Sequence, residues 1–173
     1  MMDIRFRKKT LLIVFAVLFC MVTVLLFSGC TKDTGSPACR DILYACKNIA
    51  PDGSFDTMVS YGEELYEESF DNLYGIQYGD ISDGAILYTE EGGLADEISI
   101  VRMNDNNDIS IARQKMTDRI ESRRKTFAGY KPEEVQKLDE ASVIVQGNYV
   151  VLIISNSNDD FEAEIRRVIS ENN

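Results

Sequence analysis

Residues 11–27 (LLIVFAVLFCMVTVLLF) form a run of 17 residues that is apolar throughout except at Thr23. As a helix the run would span about 26 Å at roughly 1.5 Å per residue, slightly less than a hydrocarbon core of about 30 Å. Such a segment belongs to a membrane or a targeting signal, so the fold has to be sought in the residues C-terminal to it. Arg5, Arg7, Lys8 and Lys9 precede the run, and the positive-inside bias keeps a basic flank of this kind in the cytoplasm. Small residues and a thiol, Ser28-Gly29-Cys30, come directly after it.

The sequence Leu26-Phe27-Ser28-Gly29-Cys30 is similar to a lipobox, the cleavage motif of bacterial lipoprotein signals. Small side chains let an extended backbone enter a peptidase, and a thiol is nucleophilic enough to take a diacylglyceryl group. The expectation is a signal peptide over 1–29, cleavage between Gly29 and Cys30, lipid on Cys30, a tether over 30–36 and a single domain over 37–173. Two acyl chains would give stable attachment to the outer face of the cytoplasmic membrane. The competing reading is an uncleaved single-span anchor carrying a sensor or adaptor domain. Both put residues 31–173 outside the cytoplasm.

Composition then excludes several functions. The chain of 173 residues has 18 Lys plus Arg against 29 Asp plus Glu, a formal charge of −11, and no His. That balance opposes nucleic-acid binding, which depends on neutralising phosphates. Without imidazole there are no His-based triads and no His-containing zinc sites. Cleavage would remove four basic residues and one acidic residue, leaving 144 residues with a formal charge of −14. A chain of that length buries about 68% of its unfolded surface and needs no disulfide staples.

Ser36 and Pro37 suit the N-cap and first position of a helix whose apolar face is Cys39, Ile42, Leu43, Cys46, Ile49 and Ala50, ended by Pro51-Asp52-Gly53. Cys39 and Cys46 then share a buried face, too far apart along a regular helix for a disulfide. The acidic segment 55–75 carries Glu63, Glu64, Glu67 and Glu68 at helical spacing and ends at Gly75, suited to a left-handed cap. Two hairpins come next: 85–89 with 97–103, and 142–146 with 149–155 across Gly147-Asn148, which fits a type II′ or I′ turn. Strand 149–155 is apolar on both faces and should be central. Each hairpin leads through an Asn/Asp cluster, 104–108 or 156–160, into a helix. One helix, over 109–127, buries Ile109, Ala112, Met116, Ile120 and Phe127; the other, over 161–170, buries Phe161, Ile165, Val168 and Ile169. The expected fold is α+β, a two-layer sandwich whose four-stranded, mostly antiparallel sheet comes from two β-β-α units behind an N-terminal helical segment.

Motifs that carry chemistry are scarce. Counted as EF-hand loops, the Asn/Asp clusters place Ile109 or Phe161 where Gly is needed and Lys115 or Arg167 where Glu is needed. They read instead as helix caps, with Asp159 and Glu162 spaced as a capping box. No nucleophile elbow, phosphate loop or dinucleotide fingerprint is present. With 28 acids in the mature chain many carboxylate pairs are possible; Asp96-Glu97, beside Gly92-Gly93 at the mouth of the first hairpin, is the leading candidate, but neighbours on a strand point to opposite faces and would not form a dyad. No catalytic residue, metal ligand or cofactor is expected. Arg113, Lys115, Arg119, Arg123, Arg124, Lys125 and Lys131 place seven basic residues within 19 positions. The first six form a candidate interaction surface for anionic lipid or an envelope polymer. Alternatively they pair with the acidic remainder of the protein.

Three blocks, Ala95-Asp96-Glu97-Ile98, then Phe127 to Tyr130, Pro132-Glu133-Glu134 and Leu138, then Gly147-Asn148-Tyr149-Val150, resemble a family of Gram-positive lipoproteins with a domain of unknown function, the 4358 family. The resemblance covers roughly residues 38–169. It implies an extracytoplasmic domain behind a lipobox, with no activity, ligand or catalytic residue to carry over. The function expected is a lipid-anchored, non-enzymatic module that binds a protein or envelope component. An envelope hydrolase using carboxylates is the alternative.

Overall fold

The computed structural model describes residues 35–90 and 93–172. Gly29, Cys30 and the expected signal and cleavage site therefore lie outside the described residues, and so does the tether as far as Thr34. From Ser36 onward the chain forms one unit.

The element order is α1 (Cys39–Ile49), β1 (Thr57–Ser60), α2 (Glu64–Tyr74), β2 (Ile81–Tyr88), β3 (Glu97–Met103), α3 (Ile109–Tyr130), α4 (Val135–Asp139), β4 (Ser142–Gln146), β5 (Tyr149–Ile154) and α5 (Asn158–Glu171). All strand pairs are antiparallel, in the order β1-β2-β3-β5-β4. Both hairpins form, and β5 is interior, paired with β3 and β4. Gly147 has φ 57° and Asn148 has no positive φ, which is the type II′ pattern.

The fold is α+β, with two corrections. The sheet has five strands because β1, too short to show periodicity beside an acidic helix, pairs with β2 from Thr57↔Tyr88 to Ser60↔Ala85. Helices also cover both faces of the sheet, where two layers were expected. On one face α2, α3 and α4 pack over Ile86, Val101, Val150 and Leu152. On the other, α1 and α5 pack over Leu87, Ile98, Ile100 and Val151. Alternation along each strand supplies both cores, which is why β5 is apolar on both sides.

Local expectations were adjusted by tertiary contacts. α1 starts at Cys39, two residues after Pro37, because the Cys39 N–H donates to the Asp83 carboxylate (2.8 Å), a cap supplied from β2. Ile49, expected in the core, is 47% exposed at the end of that helix. Gly75 has φ 60° and caps α2 as its sequence implied. Asp105 Oδ1 accepts the Asn107 N–H (2.8 Å) ahead of α3. The Asp159–Glu162 capping box does not form, since α5 already includes Asn158 and Asp159 lies within its first turn. Asn158 instead donates to the Glu140 carbonyl (2.7 Å).

Cys39 and Cys46 are free thiols in the α1–α5 core. Burial holds the Cys39 thiol well above its usual range and pushes Cys46 up to about 12, so both stay protonated and unreactive.

Candidate functional site

The first residue of β3 is a buried carboxylate. Glu97 faces the α2–α3 side because it shares parity with Val101 and Met103, which lie in that core. Arg119 and Arg123 stand one turn apart on α3 and reach it together. Arg119 donates from Nη2 to Oε2 (2.8 Å) and from Nε to Oε1 (3.3 Å), Arg123 Nη1 lies 3.2 Å from Oε2, and the Tyr74 hydroxyl donates to Oε1 (2.5 Å). The Arg119 guanidinium lies over the Tyr74 ring and that of Arg123 over the Phe127 ring, 5.8 and 5.1 Å from the centroids.

Burial alone would raise the Glu97 pKa, but the two guanidiniums and the Tyr74 hydroxyl outweigh it and hold the carboxyl below the usual carboxylate range. For Tyr74, burial and then the Glu97 charge push the phenol well above its ordinary value. Glu97 is therefore a fixed anion and Tyr74 a fixed neutral donor.

Asp96 belongs to a second cluster. Lys137 of α4 donates to Asp96 Oδ2 (2.7 Å) and to Glu134 Oε2 (2.8 Å), and the same Glu134 oxygen accepts the Ala95 N–H (2.8 Å). Burial raises the Glu134 pKa, and Lys137 with the Ala95 N–H brings it below the normal value. Asp96 and Glu97 were expected to face opposite sides. Both instead engage helices of the α2–α3–α4 layer, because Asp96 precedes β3 and escapes strand alternation.

A pocket of about 430 Å³ opens between α2, α3 and the β2–β3 hairpin. Leu73, Ile86, Tyr88 and Phe127 supply apolar walls, Ser69 and Asn72 line it from α2, and Glu97, Arg119 and Arg123 supply the charge. Gly93 also lines it, with φ +61°; a Cβ there would meet the exposed Tyr130 hydroxyl at 3.1 Å. Of the first two blocks of the resemblance, Glu97 and Phe127 line the pocket, while Ala95 and Asp96 meet Glu134 and Lys137 in the cluster beside it. The third block lies at the far end of β3, where Asn148 Nδ2 donates to the Met103 carbonyl (3.1 Å) and the Tyr149 hydroxyl to the Pro37 carbonyl (2.6 Å).

The basic strip divides. Arg119 and Arg123 turn inward, with side chains only 15% and 18% exposed. Arg124 bridges Glu121 and Asp139 on the surface. Arg113 lies beside Thr117, whose hydroxyl donates to the Arg113 carbonyl (2.9 Å), and the Lys115 Nζ sits 3.7 Å from the position a Cβ on Gly75 would take. Lys125 lies on the α3 surface between Arg124 and Thr126. Among the described residues no group of three or more Cys, Asp or Glu is placed to hold a metal ion.

Sequence reasoning missed Tyr74, Glu134 and Lys137 as partners. Two signals could have found the Arg pair and its acid: Arg119 and Arg123 fall three and seven residues after Met116 on the buried stripe ending at Phe127, and Glu97 begins a strand that carries Ile98, Ile100, Val101 and Met103.

No curated protein and no solved structure matches the chain. The family model for a domain of unknown function, DUF4358, matches residues 57–155, from β1 to the residue after β5. That span exceeds half the chain and contains every residue of the pocket. The chain therefore belongs to the DUF4358 family.

Proposed function

We propose that the protein is a lipid-anchored extracytoplasmic binding module that holds a small ligand and does not transform it. The anchor half of this reading is supported by the basic flank, the apolar run and Ser28-Gly29-Cys30. The binding half is carried by one observation: the buried acid of the pocket is already committed. A general base needs a free lone pair and a pKa near the working pH. Both Glu97 oxygens are taken by three donor side chains, and burial with the Glu97 charge raises the Tyr74 pKa still further above neutral pH, so the phenol stays protonated. What the pocket offers is apolar surface and guanidinium charge.

Mass spectrometry of the envelope protein tests the anchor. The expected species begins at Cys30 and carries a diacylglyceryl adduct, and Cys30→Ala accumulates as uncleaved precursor. Normal maturation of that variant would overturn the lipoprotein assignment.

A further inference from the structure

The pocket carries more positive than negative charge on its walls: two guanidiniums face the single carboxylate of Glu97. Arg119 is matched to it through two hydrogen bonds. Arg123 is not. It shares Oε2 with Arg119, donates Nη2 to the Leu94 carbonyl (3.2 Å), and its Nε is buried with no acceptor. The nearby Asp96 is engaged by Lys137 and does not line the cavity. Burial draws the Arg123 pKa below its ordinary value and Arg119 adds to the fall, outweighing the opposing pull of Glu97 and the smaller ones of Tyr74 and Asp96. An under-compensated buried cation is costly unless an anion joins it.

We propose that this pocket binds a small monocarboxylate with an apolar body, its carboxylate paired with Arg123 and its body lying against Tyr88, Ile86 and Phe127. The inference rests on the binding-module reading and adds the ligand class. One surplus positive charge calls for a monoanion. A planar carboxylate suits a guanidinium short of acceptors, whereas a phosphate dianion would bring more charge and more acceptors than this single unmatched group can satisfy. A neutral apolar guest would leave Arg123 as it is, and a cation would be repelled. The volume lies within the range of about 300–1,000 Å³ in which small-molecule sites fall.

The test uses the full-length chain in lipid nanodiscs, titrated calorimetrically with 4-phenylbutyrate, 4-phenylbutanol, 4-phenylbutylamine and 4-phenylbutyl phosphate. The acid should bind saturably and at least about tenfold more tightly than the alcohol or the amine, the size of one charge-assisted contact. Arg123→Gln should erase that preference and Arg123→Lys should restore part of it. Ser69→Trp, which fills the pocket from α2 and leaves the ion pairs intact, should abolish binding with the unfolding temperature unchanged; it remains informative should the Arg123 variants fail to fold. Equal binding of acid and alcohol, tighter binding of the phosphate, undiminished binding by Ser69→Trp, or no binding by any probe would each overturn the carboxylate assignment. The first two leave the binding-module reading standing. Chemical conversion of a probe, seen by NMR, would overturn that reading instead.

Discussion

The two faces of the sheet draw on the same strands and carry opposite chemistry. From β3, Ile98 and Ile100 enter the α1–α5 core, while Glu97 and Ser99 face α2 and α3. The α1–α5 face is closed by aliphatic side chains, two protonated thiols and the edge-to-face pair Phe55–Phe161, 5.7 Å between centroids. The α2–α3 face has aromatic packing too, but it also buries an ionic network and leaves a pocket open. A buried ion pair roughly breaks even against apolar residues of equal volume, so the network is not where the domain gains its stability. Apolar burial stabilises both faces, and the charged face in addition keeps a geometry that apolar packing would not need.

Glu97→Gln should break this comparison hardest. It strands two buried guanidiniums, and the expected loss is about 3–5 kcal/mol in urea unfolding. A loss below about 1 kcal/mol would mean that solvent already screens the site. The folded-state pKa values of Glu97 and Glu134 lie below the ordinary 4.5, so their stabilisation is fully present above that value and is lost as the pH falls through the depressed ones. The wild type should therefore weaken progressively below about pH 4.5, and Glu97→Gln should weaken less steeply. For Lys137, burial lowers the pKa while Asp96 and Glu134 raise it above 10.5, so its contribution holds at neutral pH and fades only as the pH climbs past that value.

The dry face should respond more mildly and without pH dependence. Ile165 is fully buried on α5 between α1 and the sheet, and Ile165→Val removes one methylene at a cost of about 0.5–1.5 kcal/mol. Unfolding of this variant at pH 4 and pH 7 should show the same decrement. A decrement that changes with pH as that of Glu97→Gln does would show that the two cores are energetically coupled.

Legibility in the sequence divides along the same line. The α1–α5 face could be read almost directly, because Cys39, Ile42, Leu43 and Cys46, and Phe161, Ile165 and Ile169, repeat at helical spacing and the strands alternate. The charged face could not. Arg119 and Arg123 sit on a buried stripe, yet in a sequence they add to a basic strip that looks solvated, because no local pattern shows that Glu97, more than 20 residues away, will lie opposite them. Lys137 and Asp96 are separated by 41 residues and their meeting is purely tertiary. β1 was hidden for another reason: a strand of four residues holds too few positions to display a period.

The smallest effect belongs to Tyr66, and it asks how dry the charged face is away from its ions. Tyr66 is fully buried, stacks on Phe70 at 5.2 Å and lies over Gly84 of β2, where a Cβ would overlap the phenol ring. Its hydroxyl has no hydrogen-bond partner. Burial raises its pKa far above the ordinary value, so it is a neutral group bearing an unmet donor. Tyr66→Phe keeps the ring and removes that donor. Stability should stay level or rise, by no more than about 1 kcal/mol, read as the urea midpoint at constant slope. A fall of more than about 1 kcal/mol would mean that water satisfies the hydroxyl in solution. The α2–α3 layer would then be wet beyond its pocket, and the contrast between the two faces would be one of hydration throughout the layer rather than of a single charged site.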